Sequence, residues 1–560
     1  MELRSNFPVG SPRWATRRTQ WKVLGLTDDD LSKPKIAVVN SSSKLAPCFS
    51  HLDDIADRVC QAIRDAGGVA FEIRTVAPTD FIMAAGERGG YVLSSRDLLA
   101  NDVEAAVEGA MLDGMVCLAS CDKTTPGQLI AAGRTNLPTV VVPCGYQPCG
   151  VMDNGEPADI EEVFIKAGHV ASGGITVDDL CAISDRAIGG PGVCTGMGTA
   201  NTMHIVAEAL GMTLPGAAPV AANSPKMWAT AEASAATILD AVRADRRPRD
   251  IMTEGAFRNA VAAVLAVSGS INSIKHLQAI AVESGVGIDI NEAFAELGRD
   301  VGPLTAVRPS GPDSIESFEA AGGARGVLSQ LRPVLDLGVA TIGGPTLGET
   351  LEGYAVPDDT IIRPLDRPRA PHATLQILRG SLAPEGSIVK LSATERRQDR
   401  FTGPAVVFED AAEAIAAIND GHVEEGSVLV LRGLGPVGTP GMGMASNVVF
   451  AINGAGLTGK VAVVTDGQLS GLVNQGIVVG EVKPEGALDG PLRLVRDGDE
   501  IAIDIPARAV DLRVAAAELG ARGDRPLSVP GEGSTGWLGV YARNVTPLEH
   551  GATLGRRLAR

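Results

Sequence analysis

A cysteine, an aspartate and a lysine stand side by side in the stretch "ASCDKTTPGQ", as Cys121, Asp122 and Lys123. A thiolate binds soft metals, a carboxylate binds hard cations, and a lysine amine can be recruited to catalysis when it is buried. Packing rarely requires these three residue types together. The stretch therefore predicts metal-dependent chemistry.

Two further cysteines share the setting of Cys121. Cys48 ("SKLAPCFSHLDD") and Cys194 ("GGPGVCTGMGTANTM") also lie shortly before predicted helices. A helix N-terminus carries partial positive charge and lowers a thiol pKa, which favours the metal-binding thiolate. Any one of these cysteines alone would more often be a buried core residue. The same plain interpretation serves for Cys60, Cys117, Cys144, Cys149 and Cys181.

The elements around these cysteines alternate between strands and helices. Strands are predicted at 35–40, 113–120 and 137–143, and the helix after the first strand has Leu52, Ile55, Val59 and Ile63 on one face. A second helix is expected to begin with Thr125 as its cap and Pro126 at its first position. This alternation predicts a doubly wound parallel sheet, in which the turns that carry cysteines meet at the carboxyl ends of the strands.

The second half of the chain has a different pattern. Helical patterns dominate 230–300, residues 340–372 are rich in Gly, Pro and Asp, and short strands follow, including "GSVLVLRG" and "KVAVVTDG". Short strands bounded by glycine turns predict a smaller β-barrel-like domain. The fold class is thus α/β, with an N-terminal domain at 1–365 and a C-terminal domain at 366–560.

Composition excludes several function classes. The 560 residues carry a net charge of −18, which argues against a nucleic-acid partner. We expect no membrane span, because no apolar run approaches the length of a membrane helix. The N-terminus "MELRSNFPVGSPRWATRR" lacks the apolar stretch of a secretory signal, so we expect a cytoplasmic protein.

Several motifs, taken together, resemble those of one family. They are "LAPCFSHLDDIA", "SCDKTTPGQLIAAG", "CTGMGTANTM", "VSGSINSIKHLQAIA" and "TDGQLSG". The chain resembles the iron–sulfur dehydratases that act on dihydroxy acids, sugar acids (aldonates) and phosphogluconate. The stretches "SSRDLLANDVE" and "TDGQLSG" are more similar to the dihydroxy-acid branch.

The resemblance implies an enzyme, a hydro-lyase that converts a 2,3-dihydroxy acid into a 2-keto acid. Cys48, Cys121 and Cys194 match the family's cluster cysteines, and we favour [2Fe-2S] over [4Fe-4S]. An incompletely ligated iron would act as the Lewis acid that takes the 3-hydroxyl. The small-molecule substrate would be either of the 2,3-dihydroxy-3-methylbutanoate type, used in branched-chain amino acid synthesis, or a sugar acid.

The resemblance also implies a magnesium site and a base. Asp80 and Asp122 match Mg²⁺ ligands, and Lys123 matches a lysine that is carbamylated in some members. The Mg²⁺ would stabilise an enediolate. Ser470 matches the proposed base for the C2 proton, although a glycine-flanked turn would explain it equally well. A homodimer or homotetramer is expected from the family.

The pattern breaks at one position. The family's metal-binding glutamate falls at Met444 here, and no Asp or Glu lies between Glu425 and Asp466. A thioether is a poor Mg²⁺ ligand. Asn447, a distant carboxylate or water could complete the site; alternatively the chain is a catalytically altered or impaired homologue that binds a sugar acid.

A nucleotide-binding oxidoreductase is a second alternative. Gly433, Gly435 and Gly438 form G-x-G-x-x-G after a strand, and Asp466 ends a later strand. This pattern imitates a dinucleotide fingerprint. It is a lone match with Pro436 inside the loop, so it carries little weight.

Overall fold

The computed structural model describes residues 3–85, 89–155, 157–170, 172–394, 398–471, 473, 476–522, 527 and 533–555. Its N-terminal part holds α1 (Pro12–Val23), β1 (Lys35–Asn40), α2 (Leu52–Asp65), β2 (Val69–Arg74), α3 (Asp80–Ala85), α4 (Gly90–Gly109), β3 (Gly114–Ala119), α5 (Thr124–Thr135), β4 (Thr139–Pro143), β5 (Gly150–Val151), β6 (Pro157–Ala158), α6 (Ile160–Ala167), α7 (Val177–Ser184) and α8 (Thr199–Ala209).

Helices then dominate, as the sequence predicted. They are α9 (Pro225–Ala244), α10 (Pro248–Ile251), α11 (Glu254–Ala266), α12 (Asn272–Ser284), α13 (Ile290–Leu297), α14 (Ile315–Ala320), α15 (Gly323–Gln330) and α16 (Leu347–Thr350). The predicted linker at 340–372 contains α16 and otherwise consists of turns and irregular backbone.

The C-terminal part is built on strands. It holds β7 (Leu375–Leu378), β8 (Gly386–Lys390), β9 (Arg400–Phe408), α17 (Ala411–Asn419), β10 (Val428–Leu431), α18 (Ser446–Gly454), β11 (Ala462–Thr465), β12 (Ile477–Lys483), β13 (Glu500–Asp504), β14 (Ala509–Leu512), α19 (Ala516–Ala521) and α20 (Gly536–Asn544).

The N-terminal sheet is parallel throughout, with strand order β2-β1-β3-β4. Strands β1, β3 and β4 are buried along their whole length, as their continuous apolar runs require. Helices α2 and α9 pack on this sheet. Helix α5 packs on β3 and β4, and α4 and α12 pack in turn against α5. The predicted parallel α/β architecture is confirmed.

The strand order places a switch point between β1 and β3. The chain leaves β1 towards β2 on one side and leaves β3 towards β4 on the other. Ligands of open α/β sheets bind in the crevice outside the carboxyl ends of such strands. Cys48 follows β1 and Cys121 follows β3, so both lie at this crevice.

The C-terminal sheet is a nearly closed barrel with the order β14-β13-β9-β10-β11-β12-β8-β7. Its two edges approach each other, because Val510 N donates to Arg379 O (2.9 Å) and Arg379 N donates to Arg508 O (2.9 Å). Strands β9 to β12 run parallel, with α17 and α18 in the connections, whereas the flanking strands pair antiparallel. The barrel-like prediction is confirmed; the sequence pattern missed β7, β14 and the parallel centre.

One local expectation was wrong. Helix α5 begins at Thr124 with Lys123 as its N-cap, so Thr125 is not the cap and Pro126 is the third helical residue. The reason is the hydroxyl of Thr124, which accepts from Ser120 N (3.1 Å) and donates to Cys121 O (2.6 Å), tightening the turn before the helix. Among the described residues, no helix is both long and apolar enough to cross a membrane.

Candidate active site

Three thiols predicted to form a set come together at the switch point. Cys48 and Cys121 contact each other through their side chains, and Cys194, in the turn before α8, lies within electrostatic reach of both. Cys48 and Cys121 are buried. The Ser120 hydroxyl donates to Cys48 O, which ties the turn after β1 to the end of β3.

The pKa of two of these thiols, Cys48 and Cys194, differs from the expectation. Helix N-termini were expected to lower it, but contact with the Cys121 side chain and burial raise the pKa of Cys48, and burial with repulsion from Cys121 raises that of Cys194. Burial outweighs the helix dipole because the helices begin several residues further along the chain. Three thiolates at this point would repel one another, so their ionisation calls for a bound cation.

Beside the thiols lies a buried charged group. Lys123 Nζ donates to Asp80 Oδ2 at 2.7 Å, and the Asp80 and Asp122 carboxyls are adjacent. Burial, with repulsion from Asp122, raises the pKa of Asp80 to about 7. Burial opposes the charge on Lys123, but the two carboxyls outweigh it and raise the lysine pKa. Asp122 Oδ1 also accepts from Ala200 N (3.1 Å), in the first turn of α8.

The predicted base lies on the loop after β11. Ser470 N donates to Ser446 Oγ (2.7 Å), and Lys390 Nζ donates to the neighbouring Gly471 O (3.0 Å). The Ser470 loop also packs towards Asp122. Gly471 lies against Ser270, because a Cβ placed on Gly471 would lie 3.1 Å from Ser270 Oγ. Ser270 Oγ is 2.8 Å from Thr199 Oγ1, one residue before Ala200.

The position of the missing glutamate is filled by a thioether. Met444, two residues before α18, forms an isolated parallel β-bridge with Gln468, which lies on the loop after β11. The side chains also contact each other, with Gln468 Nε2 at 3.3 Å from Met444 Sδ. Met444 also packs on Gly89, where an added Cβ would lie 3.1 Å from Met444 Cγ. Asn447, which sequence analysis offered as a replacement ligand, is exposed at the start of α18.

The donor set fits the groups that the resemblance implies, with one gap. Asp80 Oδ1 is buried and, among the described residues, has no hydrogen-bond partner, as expected of an oxygen reserved for a cation. Within the described part of the chain, no three His, Cys, Asp or Glu side chains surround one point as the ligands of a single ion do. The three thiols offer the soft donors that an iron–sulfur cluster takes, and Asp80 and Asp122 offer two hard oxygen donors beside them.

Two ionisable residues at the site were missed by sequence reasoning. Glu161 on α6 packs on Gly196, where an added Cβ would lie 2.0 Å from Glu161 Oε1. Burial and repulsion from Asp159 raise the pKa of Glu161 to about 8. Lys390 at the end of β8 is buried beside the Ser470 loop. Lys390 ends the stretch "RGSLAPEGSIVK", one of those that resemble the family, but the sequence assigned it no role; Glu161 lies outside those stretches.

A cavity of about 380 Å³ adjoins this site between the N-terminal part and the barrel. Its wall includes Glu161 and Arg308, and Val473, three residues beyond Ser470. The rest of the wall is mixed. Its aliphatic side chains are Ile165, Val449, Ile452, Val461, Val463, Ile477 and Val478, and its further polar or charged ones are Asp159, Glu162, Lys166, Asn453 and Thr458. A volume of this size accommodates a small organic acid.

The other cysteines and the histidines lie outside this arrangement or are held by the backbone. Cys144 and Cys117 are fully buried, and burial raises the pKa of both thiols. His204 Nε2 lies 3.1 Å from Ser120 O, and burial lowers its pKa to about 4, so it stays neutral. Cys117 and Cys144 thus lie in the core, as the plain interpretation held, whereas that interpretation is wrong for Cys181, which is exposed on α7, and Cys149 is only partly buried.

The glycine-rich loop does not have the features of a nucleotide site. Gly433 N and Leu434 N donate to the buried Asp466 carboxylate (3.0 and 2.9 Å), and Gly438 N donates to Glu485 (3.0 Å). These carboxylates occupy the amide groups that would otherwise bind phosphates. The dinucleotide interpretation therefore finds no support in the loop's geometry.

Comparison with known proteins gives matches along nearly the whole chain. The profile of the N-terminal domain of dihydroxy-acid/6-phosphogluconate dehydratases matches residues 33–350, and that of the C-terminal domain matches 360–552. A dihydroxy-acid dehydratase of Methanococcoides burtonii is 38% identical over 98% of this chain and 99% of the relative. Those of Ignicoccus hospitalis and Sulfurisphaera tokodaii are each 38% identical, over 97% and 98% of this chain and 98% of either relative.

Proposed function

The chain belongs to the dihydroxy-acid/6-phosphogluconate dehydratase family and is a hydro-lyase acting on a dihydroxy acid, and we propose that its substrate is a 2,3-dihydroxy acid with a short branched apolar tail, such as 2,3-dihydroxy-3-methylbutanoate. The product would be the corresponding 2-keto acid. The observation that carries this proposal is the meeting of three thiols with Lys123, Asp80 and Asp122 at one crevice.

We propose that Cys48, Cys121 and Cys194 hold an iron–sulfur cluster, for which we favour [2Fe-2S], and that Asp80, Asp122 and carbamylated Lys123 hold Mg²⁺. When bound, the two groups supply Lewis acidity towards the 3-hydroxyl and towards the carboxylate and 2-hydroxyl. Lys123 as an ammonium has no lone pair to offer a metal, so its part depends on carbamylation. Without carbamylation, the Lys123 ammonium donates from Nζ to Asp80 Oδ2 at 2.7 Å and balances the charge of that carboxylate.

We assign the removal of the substrate's C2 proton to Ser470, with Lys390 in support. Ser470, as an alkoxide, would accept that proton at Oγ while the C3–O bond breaks and its electron pair leaves with the 3-hydroxyl. The proton would then pass from Ser470 Oγ to the departing hydroxide, which is lost as water, and the enol would give up its hydroxyl proton and gain one at C3 to become the ketone. A serine is a weak base unless positive charge stabilises its alkoxide. Lys390 contributes such charge, because its ammonium lies 3.0 Å from the carbonyl oxygen of the adjacent Gly471.

The aliphatic part of the cavity supports a branched apolar tail. Eight of the twenty lining residues are Ile or Val, including Ile165, Val449 and Ile452, and such side chains suit methyl groups. Seven others carry polar or charged side chains, Glu161 and Arg308 among them. Each hydroxyl of a pentonate or hexonate needs a hydrogen-bond partner once buried, so the comparison of substrates decides which part of the wall the tail contacts.

The test is turnover by anaerobically reconstituted protein with iron and sulfide quantified. 2,3-Dihydroxy-3-methylbutanoate should give a keto acid detectable with a hydrazine reagent, and pentonates and hexonates should give much less. Ser470→Ala should lower kcat about 10²- to 10⁴-fold at an unchanged cluster absorbance, the usual range for loss of a general base. A preference for sugar acids would contradict the substrate assignment.

A catalytically altered homologue is the second candidate, and Met444 is the observation that favours it. Turnover of neither class of acid by protein with a full cluster and added Mg²⁺ would support that candidate and overturn the dehydratase proposal.

A further inference from the structure

The contact between Met444 and Gln468 bears on how this chain completes its cation site, on the assumption that the proposed Mg²⁺ site exists. Met444 can offer only a thioether, which hard cations do not favour. Gln468 can offer a carbonyl oxygen, a regular ligand of Mg²⁺ and Ca²⁺. The two side chains touch, with Gln468 Nε2 at 3.3 Å from Met444 Sδ. The Gln468 amide therefore lies next to the end of the side chain at position 444, where the family's glutamate carboxylate would lie.

The amide of Gln468 is oriented in an unusual way. Gln468 is 1% exposed, and its Nε2 donates to a sulfur, which is a weak acceptor. Its Oε1 is buried and meets no donor among the described residues. A buried amide oxygen without a partner is costly and is normally explained by a bound group.

Two separate chains of contacts connect Gln468 to the carboxylates. On one side, Met444 packs on Gly89, which follows the helix that begins at Asp80. On the other, the Gln468–Gly471 loop contacts Ser270, and Ser270 and Thr199 lead to Asp122. Asp80 Oδ1 is a second buried oxygen without a hydrogen-bond partner among the described residues.

We propose that Oε1 of Gln468 is the protein ligand that replaces the missing carboxylate at Met444. The site would then hold its divalent cation with two aspartates, modified Lys123 and one neutral amide oxygen. Because a neutral oxygen replaces a negative one, the protein charge at the site is less negative by one. The affinity for a divalent cation should therefore respond strongly to charge at position 468.

The experiment is a titration of anaerobically purified, cluster-containing protein, dialysed free of divalent cations, with Mn²⁺ in bicarbonate buffer. Free Mn²⁺ is counted by electron paramagnetic resonance, a readout independent of turnover. Gln468→Leu should weaken binding at least about tenfold, which is the scale seen when a metal site loses a supporting group. Gln468→Glu should tighten binding by a similar factor.

Met444→Leu is the matched control, since it removes the sulfur and keeps the volume, and it should leave the Mn²⁺ affinity unchanged. Gln468→Leu that binds Mn²⁺ as tightly as the parent would overturn the proposal. If Gln468→Leu fails to load its cluster, Gln468→Glu decides: unchanged or weaker binding overturns the proposal, because misfolding cannot produce tighter binding.

One further variant separates this inference from the proposed function. Asp122→Asn should abolish Mn²⁺ binding. If it does so while Gln468→Leu does not weaken binding, the cation site stands and only the role of Gln468 fails. If the parent itself binds no Mn²⁺, the proposed cation site and the Gln468 ligand fail together.

Discussion

Single residues decide how the two halves of the site differ. The thiols at Cys48, Cys121 and Cys194 offer soft donors, whereas Asp80 and Asp122 offer hard ones. The border between the two sets lies at one peptide bond, between residues 121 and 122. Under the proposed assignment, a single turn after β3 would place two different Lewis acids beside one substrate.

The cysteine assignment predicts a selective loss of colour. Cys48→Ser, Cys121→Ser and Cys194→Ser should each abolish the cluster's visible absorbance, because each removes a thiolate. Cys144→Ser is the matched control: that thiol is fully buried and donates to Val142 O (3.4 Å), away from the set. Spectra and iron content of the four reconstituted variants check this. A bleached Cys144→Ser beside a coloured Cys194→Ser would contradict it.

How far the site could be predicted from sequence depends on the residue. Cys121, Asp122 and Lys123 are adjacent in the chain, so local spacing already suggested a junction. Glu161 lies in no quoted motif, and Gln468 lies in "TDGQLSG" but gained no role from it, because the relevance of both comes from tertiary contacts with Gly196 and Met444. The pKa values of the Cys48 and Cys194 thiols were misjudged for a related reason, since burial is a property of the fold.

At the scale of elements, α6 carries a buried acid with a raised pKa. Burial keeps Glu161 protonated up to about pH 8, whereas in the unfolded chain it ionises near 4.5. Between these values only the unfolded state releases the proton, so the free energy of unfolding falls as the pH rises. Glu161→Gln removes this dependence.

Glu161→Gln should thus match the parent's stability near pH 5 and exceed it at pH 8.5, by an amount on the order of a few kcal/mol, since each pKa unit is worth about 1.4 kcal/mol. Thermal unfolding of both cluster-free proteins at the two pH values measures the difference. The same difference at both values would refute the buried-acid argument.

A buried ion pair joins α12 to β12. Lys275 Nζ contacts Glu481 Oε1 and Asn272 Oδ1, and both charged side chains are almost wholly buried. Removing one partner leaves the other charge buried and unpaired, so Lys275→Met and Glu481→Gln should each lose about 3–5 kcal/mol of stability. The double variant Lys275→Met/Glu481→Leu should recover most of that loss. Denaturant midpoints of the three proteins test this, and additive losses would contradict it.

Elements were more predictable than their arrangement. Strands β1, β3 and β4 have continuous apolar runs, which identified them directly, and the apolar face of α2 was read correctly. The parallel centre of the barrel was missed because strand direction is set by connections such as α17 and α18, which local patterns do not encode. The turn before α5 depended on one hydroxyl, that of Thr124.

At the scale of the whole molecule, the site draws on both parts of the chain. Two of the thiols and both aspartates follow strands of the N-terminal sheet, and Cys194 lies in the turn before α8. Ser470, Met444 and Gln468 follow strands of the barrel. A domain boundary at residue 365 and a homodimeric or homotetrameric assembly stay predictions. What the two parts form together is the cavity between α6 and α18.

That cavity gives the last prediction, because its two walls come from different parts of the chain. Ile165 lies on α6 and Val449 on α18, and both line the space. If the substrate's tail occupies it, Ile165→Trp and Val449→Trp should each lower kcat/KM for 2,3-dihydroxy-3-methylbutanoate at least about tenfold. Lost contacts and overpacking of 1–3 kcal/mol correspond to that range.

The control lies on the same helix. Ala167 is exposed at the end of α6 and does not line the cavity, so Ala167→Trp should keep the parent's kcat/KM. Cluster absorbance confirms that each variant is folded and loaded. Parent-like kcat/KM in both Ile165→Trp and Val449→Trp would mean that the substrate lies elsewhere, and the argument for a branched apolar tail would lose its basis. A fall in only one of them would place the tail against that wall alone.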